Sequence, residues 1–404
     1  MPARVAASRL AVAAGAAALL ARALTPRAPA GSVSAAACEE HFSAQEVRRA
    51  RRFGRPQLGL HVARLLIESA VCLAAVKRDR GRSIRSRTAA GASGAALMLA
   101  CELAPLPLSA VMRRRAVRAG LVTQSWSGWA ADIARSAAIA APLAGAAAVL
   151  GRELVRRRGD GWWLPAAAIG PGAATALTFA SPLLLDPLFN DFTPLADGAL
   201  RDDVFELARR AGVRLRGVYV VDASRRTTAA NAYVNGLWWS RRVVLFDTLL
   251  ESFTQQETRL VVAHELAHVR HRDVPRSLLF LALSAPGAMW AAAAIVRASG
   301  GAGIPALGAA LGVVQVPLGM LGNRISRAVE VRADLFALEL AGGAADFISF
   351  ERRIALQNLI DPDPPHLLQS LLGTHPTTLE RIGLAAAFTA PPKAARGPRT
   401  PAGS

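Results

Sequence analysis

Cysteine, aromatic and charged residues are all scarce in this chain of 404 residues. Three cysteines, Cys38, Cys72 and Cys101, are too few for a disulfide framework, and two of them fall in apolar segments. Charged residues make up 19% of the chain, below the usual quarter, whereas hydrophobic residues make up 52%. Together with a positive mean hydropathy, this composition indicates a membrane protein that carries a soluble part.

The charge that is present is mostly basic, with 48 Lys and Arg against 29 Asp and Glu. The basic residues fall in short runs between apolar stretches, at Lys77–Arg87, Arg113–Arg118 and Arg152–Arg158. Loops between membrane spans have this pattern. The runs lack interleaved aromatic residues on which bases could stack. We therefore expect a lipid bilayer, and no nucleic acid, as a partner.

Seven apolar stretches can be drawn along the chain, most of them near the length that a bilayer requires. The first is short and follows two arginines, so it is either a cleaved signal peptide or a retained span; we favour the span. A more polar block separates the first five stretches from the last two, and a tail rich in Pro, Ala, Gly and Arg, residues 390–404, is expected to be disordered. The stretches lie near residues 10–24, 58–76, 88–111, 128–150, 162–185, 277–298 and 304–321.

One short motif within the polar block predicts metal chemistry. His264, Glu265 and His268 form an H-E-x-x-H inside the apolar segment Leu260–Val269. On a helix the two histidines lie at i and i+4 on one face, where they can bind one ion. Zinc suits such a site, and Glu265 can take a proton from a metal-bound water. The alternative is a helix with two ordinary histidines, but buried imidazoles and a buried carboxylate need partners.

A later segment offers the third ligand. Asn323, Arg327, Glu330 and Asp334 follow i, i+4, i+7 and i+11, which places them in one polar stripe of a helix expected over Asn323–Gln357. Glu330 can be the third zinc ligand, and Asp334 can accept the free N–H of a ligating histidine. The alternative is a solvated face in which Arg327 and Glu330 pair. Two other candidates rank lower as ligands, namely Glu339, which lies off the stripe, and His271, which suits a surface or supporting role.

Two further segments can contact a peptide. Val218–Val221 and Arg242–Asp247 have strand composition, and Asn231–Gly236 lies between them. A strand at Asn231–Gly236 can offer an open edge to an extended peptide, although the same pattern also fits an ordinary hairpin. His375, in Thr-His-Pro, can donate a hydrogen bond to the oxyanion of a tetrahedral intermediate, or it can be a plain loop histidine.

In the order of these and several other segments, the chain resembles the type I CAAX prenyl endopeptidases, which are integral-membrane zinc metallopeptidases. The resemblance extends over most of the chain. The matching segments are FSAQEVRRARRFGR (42–55), GLVTQSWSGWAAD (120–132), PLFNDFTPL (187–195), VVDASRR (220–226), NAYVNG (231–236), RVVLFDTLLE (242–251), HELAH (264–268), SRAVEVRAD (326–334) and THP (374–376).

The resemblance implies a predominantly α, polytopic membrane protein in which about seven transmembrane helices enclose a chamber. It also implies an α+β gluzincin-type zinc metallopeptidase domain with a small β-sheet. Residues 1–185 would form the membrane domain, and residues 186–389 the metallopeptidase domain, interrupted by the last two spans. One Zn²⁺ per chain would be bound by His264, His268 and Glu330.

The same resemblance implies roles for the surrounding residues. Glu265 would be the catalytic base, while His375 and Arg327 would approach the reacting carbonyl. Asp334 would hydrogen-bond to a ligating histidine on the side away from the metal. We assign Asn323 the same supporting role because Asn323 lies on the same polar stripe. Peptide or membrane-protein substrates would bind along the edge strand, at Asn231, Ala232, Tyr233 and Gly236.

Two other functions stay open at this point. The chain also resembles heat-shock-type membrane zinc proteases, which act in membrane-protein quality control, although those have fewer spans. A non-catalytic transporter or receptor with a structural zinc is another possibility, but a structural site is closed by four protein ligands. Because the composition is typical of a GC-rich bacterial genome, we expect an integral protein of the bacterial plasma membrane. The family resemblance places the catalytic domain on the cytoplasmic side, whereas the loop charges do not decide the orientation.

Overall fold

The computed structural model describes residues 2–27, 34–79, 86–236, 240–300 and 303–389. The predicted disordered tail at 390–404 lies outside the described residues.

Long helices dominate the chain, and seven helical stretches are long and apolar enough to cross a membrane. Each predicted span falls in one of them. Serine caps mark several starts; Ser43, for example, accepts from the backbone N–H of Glu46, whose carboxylate accepts from the N–H of Ser43 in return. The spanning helices are α1 (Pro2–Leu24), α3 (Ala44–Arg78), α4 (Arg87–Leu103) with α5 (Leu106–Arg118), α6 (Trp126–Arg158), α7 (Trp163–Leu184), α12 (Asp273–Ala298) and α13 (Ile304–Ala341).

The remaining elements are shorter and mostly build the part of the protein that holds the site. The helices are α2 (Cys38–His41), α8 (Asp186–Phe189), α9 (Ala199–Arg210), α10 (Asp247–Ser252), α11 (Gln255–Arg270), α14 (Ala344–Gln357), α15 (His366–Leu372) and α16 (Thr378–Thr389). The strands are β1 (Phe192–Pro194), β2 (Gly217–Val221), β3 (Ala232–Asn235) and β4 (Arg242–Phe246).

Small residues let the membrane helices approach closely. A Cβ on Gly94 of α4 would lie 2.5 Å from the Cβ of Ala148 on α6, so this contact needs glycine. Helix α1 buries Ala13, Ala17 and Ala21 against α12 and α13. The first apolar stretch therefore packs as a member of the helical bundle.

One arginine within the spans pairs with two carboxylates. On α3, Arg64 donates to Glu68 at 2.8 Å and to Glu102 of α4 at 3.4 Å. Charges at membrane depth are tolerated when they pair inside the protein. The pair of Arg64 and Glu102 therefore joins α3 to α4.

The four strands form one mixed sheet in the order β1-β2-β4-β3. β2 and β4 are parallel, while β1 and β3 pair antiparallel to their neighbours. One face of the sheet packs on α11, where Val243 and Leu245 share a core with Val262 and Leu266. The sheet therefore lies directly against the helix that carries the H-E-x-x-H motif.

The prediction of one helix over Asn323–Gln357 is wrong, because the segment is divided between two helices, α13 and α14. The helix begins far earlier, because α13 runs without a break from Ile304 to Ala341. It then ends at Gly342 and Gly343, whose φ angles of 72° and 78° lie in the left-handed region. A change from apolar to polar side chains does not interrupt a helix, whereas two glycines with positive φ do.

Candidate metal centre

Helix α11 carries the motif in a rigid, buried frame. Thr254 and Glu257 form a capping box at its start. Val262 and Leu266 are buried in the core beneath the sheet, and Leu260 is buried in a separate cluster with Leu338 and Phe347. Because these apolar positions anchor two faces of the helix, the histidines are held on the remaining face with little freedom.

His264 and His268 turn the same ring nitrogen toward one point. Their Nε2 atoms are 3.2 Å apart. Two imidazoles that bind one zinc at the usual bond length, in tetrahedral geometry, have their nitrogens about 3.3 Å apart. The spacing of this pair therefore suits a single shared ion.

Glu330 reaches the same point from α13. Its Oε2 lies 3.2 Å from His264 Nε2, and its Oε1 lies 3.7 Å from His268 Nε2. The side chain is 8% exposed, and buried Oε2 receives no well-aligned hydrogen bond from any described residue. A buried carboxylate oxygen without a donor, facing two imidazole nitrogens, is the arrangement that a cation would satisfy.

Each histidine has a carboxylate behind it. His264 Nδ1 lies 2.8 Å from Asp334 Oδ1, and His268 Nδ1 lies 3.1 Å from Asp273 Oδ2. Such partners fix the tautomer in which Nε2 is free to bind a metal. Although burial alone lowers the pKa of His264, the carboxylates of Asp334 and Glu330 raise it to about 10.

Asp334 is fully buried and is itself held in place. Arg381 of α16 donates to its two oxygens at 2.8 and 2.5 Å. The same guanidinium lies 2.7 Å from Glu351, whose pKa is raised to about 7 by burial. Although burial opposes the charged form of Arg381, the two carboxylates raise its pKa above the ordinary value. The arginine thus joins α16 to the stripe on α13.

Asp273 is a second supporting residue, besides Arg381, that the sequence alone does not reveal. Asp273 reaches His268 because Arg272, with φ 57° and ψ 47°, turns the chain sharply between α11 and α12. Arg276 and Arg332 neutralise the Asp273 carboxylate. The sequence does show an aspartate five residues after the second histidine. Its contact with His268, however, depends on a left-handed turn at Arg272, a conformation that residues other than glycine rarely adopt.

Glu265 lies beside the two histidines. One carboxylate oxygen of Glu265 and one ring nitrogen from each of His264 and His268 all lie within 4.8 Å of one another. Glu330 contacts both Nε2 atoms from an opposing helix, at 3.2 and 3.7 Å, so it is better placed than Glu265 to be the third ligand. Burial raises the pKa of Glu265, as suits a group that takes up a proton.

His375 also belongs to the site, at its open side. Its Nε2 lies 3.6 Å from Glu330 Oε2, and its side chain is 62% exposed. Thr374 Oγ1 lies 2.8 Å from His375 Nδ1, and Gln369 donates to the His375 carbonyl at 2.6 Å. The imidazole is therefore held at the edge of the site that solvent or a substrate can reach.

Arg327 and Asn323 lie on the predicted stripe but contact backbone rather than the metal-binding side chains. Arg327 donates to the carbonyls of Gly373 at 2.5 Å and Ser370 at 3.1 Å. Asn323 donates to Leu371 at 2.9 Å. Both residues therefore hold the segment that leads into His375.

The segment Asn231–Gly236 forms β3 and its flanks, at the edge of the sheet. β3 pairs with β4 on one side, and among the described residues no strand pairs with the other. It packs on α11 next to the motif. Gly236, with φ 92°, ends the strand where a Cβ would lie 2.5 Å from the Ser240 carbonyl. Asn231, Ala232 and Tyr233 thus lie along an open edge beside the histidines.

The two lower-ranked candidates are outside the site. His271 stacks edge-on against Phe336 at 5.4 Å between ring centroids. Glu339 is exposed, one helical turn beyond Phe336. Neither is in contact with the converging nitrogens.

The donor set suits zinc. Two neutral imidazole nitrogens and one carboxylate leave a fourth position open, and both histidines have the supporting carboxylates that zinc ligands commonly have. The residues that could hold the ion are therefore His264, His268 and Glu330.

Comparison with known proteins is consistent with this donor set. The profile of peptidase family M48 matches residues 194–387, which include all of these side chains. An uncharacterized metalloprotease, YhfN of Bacillus subtilis, is 29% identical over 300 residues, covering 71% of this chain and 70% of that protein.

Two further relatives are named for CAAX processing. A probable CAAX prenyl protease 1 of Schizosaccharomyces pombe is 34% identical over 215 residues, covering 50% of this chain and 45% of the relative. A CAAX prenyl protease 1 homolog of Arabidopsis thaliana is 34% identical over 217 residues, covering 50% of each chain. The chain thus spans about half the length of these two relatives.

A solved structure shares the whole fold. The crystal structure of S. mikatae Ste24p superposes with a TM-score of 0.74 at 21% identity, covering 95% of this chain and 98% of that one. The combination of seven membrane helices with one small sheet is therefore a known fold.

Proposed function

Because the profile of peptidase family M48 matches residues 194–387 and the chain is 34% identical over 215 residues to a probable CAAX prenyl protease 1, we propose that it is an integral-membrane zinc metalloendopeptidase of the CAAX prenyl endopeptidase family. In this proposal His264, His268 and Glu330 hold one Zn²⁺ per chain. The observation that carries the assignment is the convergence of two Nε2 atoms and the Glu330 carboxylate from α11 and α13. Zinc bound there would acidify a water molecule and polarise the scissile carbonyl.

Glu265 is the general base of the proposed reaction. Its carboxylate takes a proton from the attacking water and passes it to the leaving amine. Burial raises the pKa of this carboxyl group, which helps the first of these transfers, because a raised pKa makes the carboxylate a stronger base. The same carboxylate thus accepts the proton from the water and later donates it to the leaving amine.

His375 stabilises the oxyanion in this proposal. Its exposed Nε2, 3.6 Å from Glu330, faces the open side of the site, where it can donate to the oxygen that becomes negative. A single donor of this kind typically contributes a factor of about 100 to 1000 in rate. Arg327 and Asn323 act through it, because they hold the backbone that positions His375.

The substrate is an extended peptide that pairs with β3. Its backbone hydrogen-bonds along Asn231–Gly236, while the scissile bond lies over the histidines on the adjoining α11. Membrane-associated peptides, CAAX-type termini among them, have the access that a site next to membrane helices requires. We propose a bacterial plasma membrane location with the catalytic domain facing the cytoplasm.

The ligand assignment is tested by Glu330→Gln, with Glu339→Gln as the matched control on the same helix. Purified Glu330→Gln should lose most of its zinc and its peptidase activity, whereas Glu339→Gln should keep both, because Glu339 is exposed. Zinc is counted by elemental mass spectrometry after dialysis. One full equivalent of zinc on Glu330→Gln would rule out Glu330 as a ligand.

A further inference from the structure

Five arginines line a cavity away from the metal centre, which we call the basic cavity. It has a volume of about 660 Å³ and lies between the first turns of α3 and the last turns of α5. No carboxylate lines it within the described residues. The arginines are Arg48, Arg49, Arg52, Arg115 and Arg118.

None of the five arginines forms a salt bridge with a described residue. Arg115 donates to the carbonyls of Arg52 and Phe53 at 3.0 and 3.4 Å, which holds it against the wall. Arg48, Arg49, Arg52 and Arg118 are exposed, and no salt bridge reaches them from the described part of the chain.

Two acids close in sequence to residues that line the cavity pair with other arginines. Asp361 binds Arg51 and Arg55, and Glu46 binds Arg352. Like charges held this close repel one another unless an anion lies between them. The cavity is therefore built for an external anion.

The cavity lies where the membrane helices meet the metallopeptidase part. Arg52 comes about two turns before the apolar part of α3, and Arg118 is the last residue of α5. Just beyond it, the backbone oxygens of Gly120 and Leu121 accept from Thr228 and Thr227. This is the depth of lipid headgroups, on the side of the membrane that carries the metal centre.

An apolar groove adjoins the basic cavity. This second cavity has a volume of about 590 Å³, and Arg118 lines both. Its other walls include Val111, Val117 and Trp126, which are 49%, 40% and 49% exposed. Since α5 runs from Arg118 back toward Leu106 within a membrane span, the groove leads from the arginines toward the bilayer interior.

We propose that the basic cavity and the apolar groove together bind one anionic phospholipid. Its phosphate lies among the arginines, and one acyl chain lies along Val111 and Val117. Arginine suits phosphate because its planar fork donates two parallel hydrogen bonds. A free phosphate ion would use only the basic half, which leaves the adjoining apolar groove unexplained.

The test compares two triple variants of equal charge change. Arg48→Gln/Arg52→Gln/Arg118→Gln removes three arginines of the cavity. Arg210→Gln/Arg214→Gln/Arg216→Gln removes three exposed arginines outside the spans, for which no described residue forms a salt bridge. Phosphatidylglycerol and phosphatidylcholine are titrated onto the zinc-loaded protein in detergent, and bound lipid is counted by native mass spectrometry.

Wild type and the control should prefer phosphatidylglycerol, and the cavity variant should bind it about 100-fold more weakly, because each arginine at a membrane surface contributes about a factor of five. Equal affinity of the wild type for both lipids would overturn the proposal, as would unchanged phosphatidylglycerol binding in the cavity variant. Competition by millimolar inorganic phosphate as effective as added lipid would also overturn it, because the site would then be one for a free anion.

A single substitution that leaves the charge unchanged tests the proposal independently, in case the triple arginine variant of the cavity misfolds. Val111→Trp fills the groove at a half-exposed position and should weaken phosphatidylglycerol binding while leaving peptidase activity intact. Undiminished lipid binding in Val111→Trp would contradict the placement of the acyl chain.

Discussion

Replacing Asp273 with asparagine should weaken zinc binding without unfolding the protein. Asp273 is 6% exposed, and its carboxylate lies 3.1 Å from His268 Nδ1. Arg276 and Arg332 contact the same carboxylate. Asparagine keeps the shape of the side chain, but it removes the negative charge that balances two guanidinium groups and makes the imidazole a stronger ligand.

The expected loss of zinc affinity has two sources, the missing carboxylate beside His268 and the unbalanced charge of the two arginines. Loss of a carboxylate behind a metal-bound histidine typically costs about 10- to 100-fold in metal affinity or activity. That is about 1.4 to 2.8 kcal/mol. The two uncompensated arginines near His268 add repulsion toward a dication, so we expect the upper half of this range.

The assay is zinc affinity by competition with a chromophoric chelator, alongside the thermal midpoint of the metal-free protein. Asp203→Asn is the control, because Asp203 of α9 pairs with Arg259 of α11 at 2.5 Å and touches neither histidine. The control should bind zinc as the wild type does. Wild-type zinc affinity in a folded Asp273→Asn protein would refute the supporting role of Asp273.

Two more predictions concern the other histidine and its supports. Because the metal-free pKa of His264 is raised to about 10, zinc must displace a proton, and its affinity should rise about tenfold per pH unit between pH 6 and 8. The slope should decrease in Asp334→Asn, and a pH-independent affinity in the wild type would contradict the raised pKa. Arg381→Met should destabilise the fold by about 3–5 kcal/mol, because it leaves buried Asp334 and Glu351 unpaired, whereas Arg352→Met should cost about 1 kcal/mol or less at its more exposed pair. Similar thermal midpoints for the two arginine variants would argue against that buried network.

The membrane helices could be predicted from the sequence because a bilayer imposes length and apolarity on each span. All seven predicted stretches fall in helices that the structure finds long and apolar enough to cross. Boundaries were less predictable, since helices such as α3 and α6 extend beyond the bilayer-length core into polar sequence. Hydrophobic periodicity predicts which face of a helix is apolar, but it does not predict the residue at which a helix that continues into polar sequence ends.

The metal centre was predictable where helix geometry alone places the residues. His264 and His268 share a face by spacing, and Glu330 and Asp334 share the stripe on α13. The structure brings these two faces together, as the stripe predicted. Their roles as ligand and support stay predictions until zinc is measured.

The supports that the sequence did not reveal depend on tertiary contacts. Asp273 approaches His268 through a left-handed turn at Arg272, and Arg381 joins two carboxylates from α13 and α14. No spacing rule relates residues on three different helices. The roles of Arg327 and Asn323 were likewise drawn from position on the stripe, whereas their contacts are with the backbone before His375.

The central claim is that Glu265 moves the proton in zinc-dependent peptide hydrolysis. The most direct measurement is the single-turnover cleavage rate of a peptide by purified Glu265→Gln, compared with wild type at equal, measured zinc content. Glutamine keeps the shape but cannot accept the proton, so the account predicts bound zinc and loss of cleavage by at least about 100-fold. Cleavage at the wild-type rate by the zinc-loaded variant would contradict it.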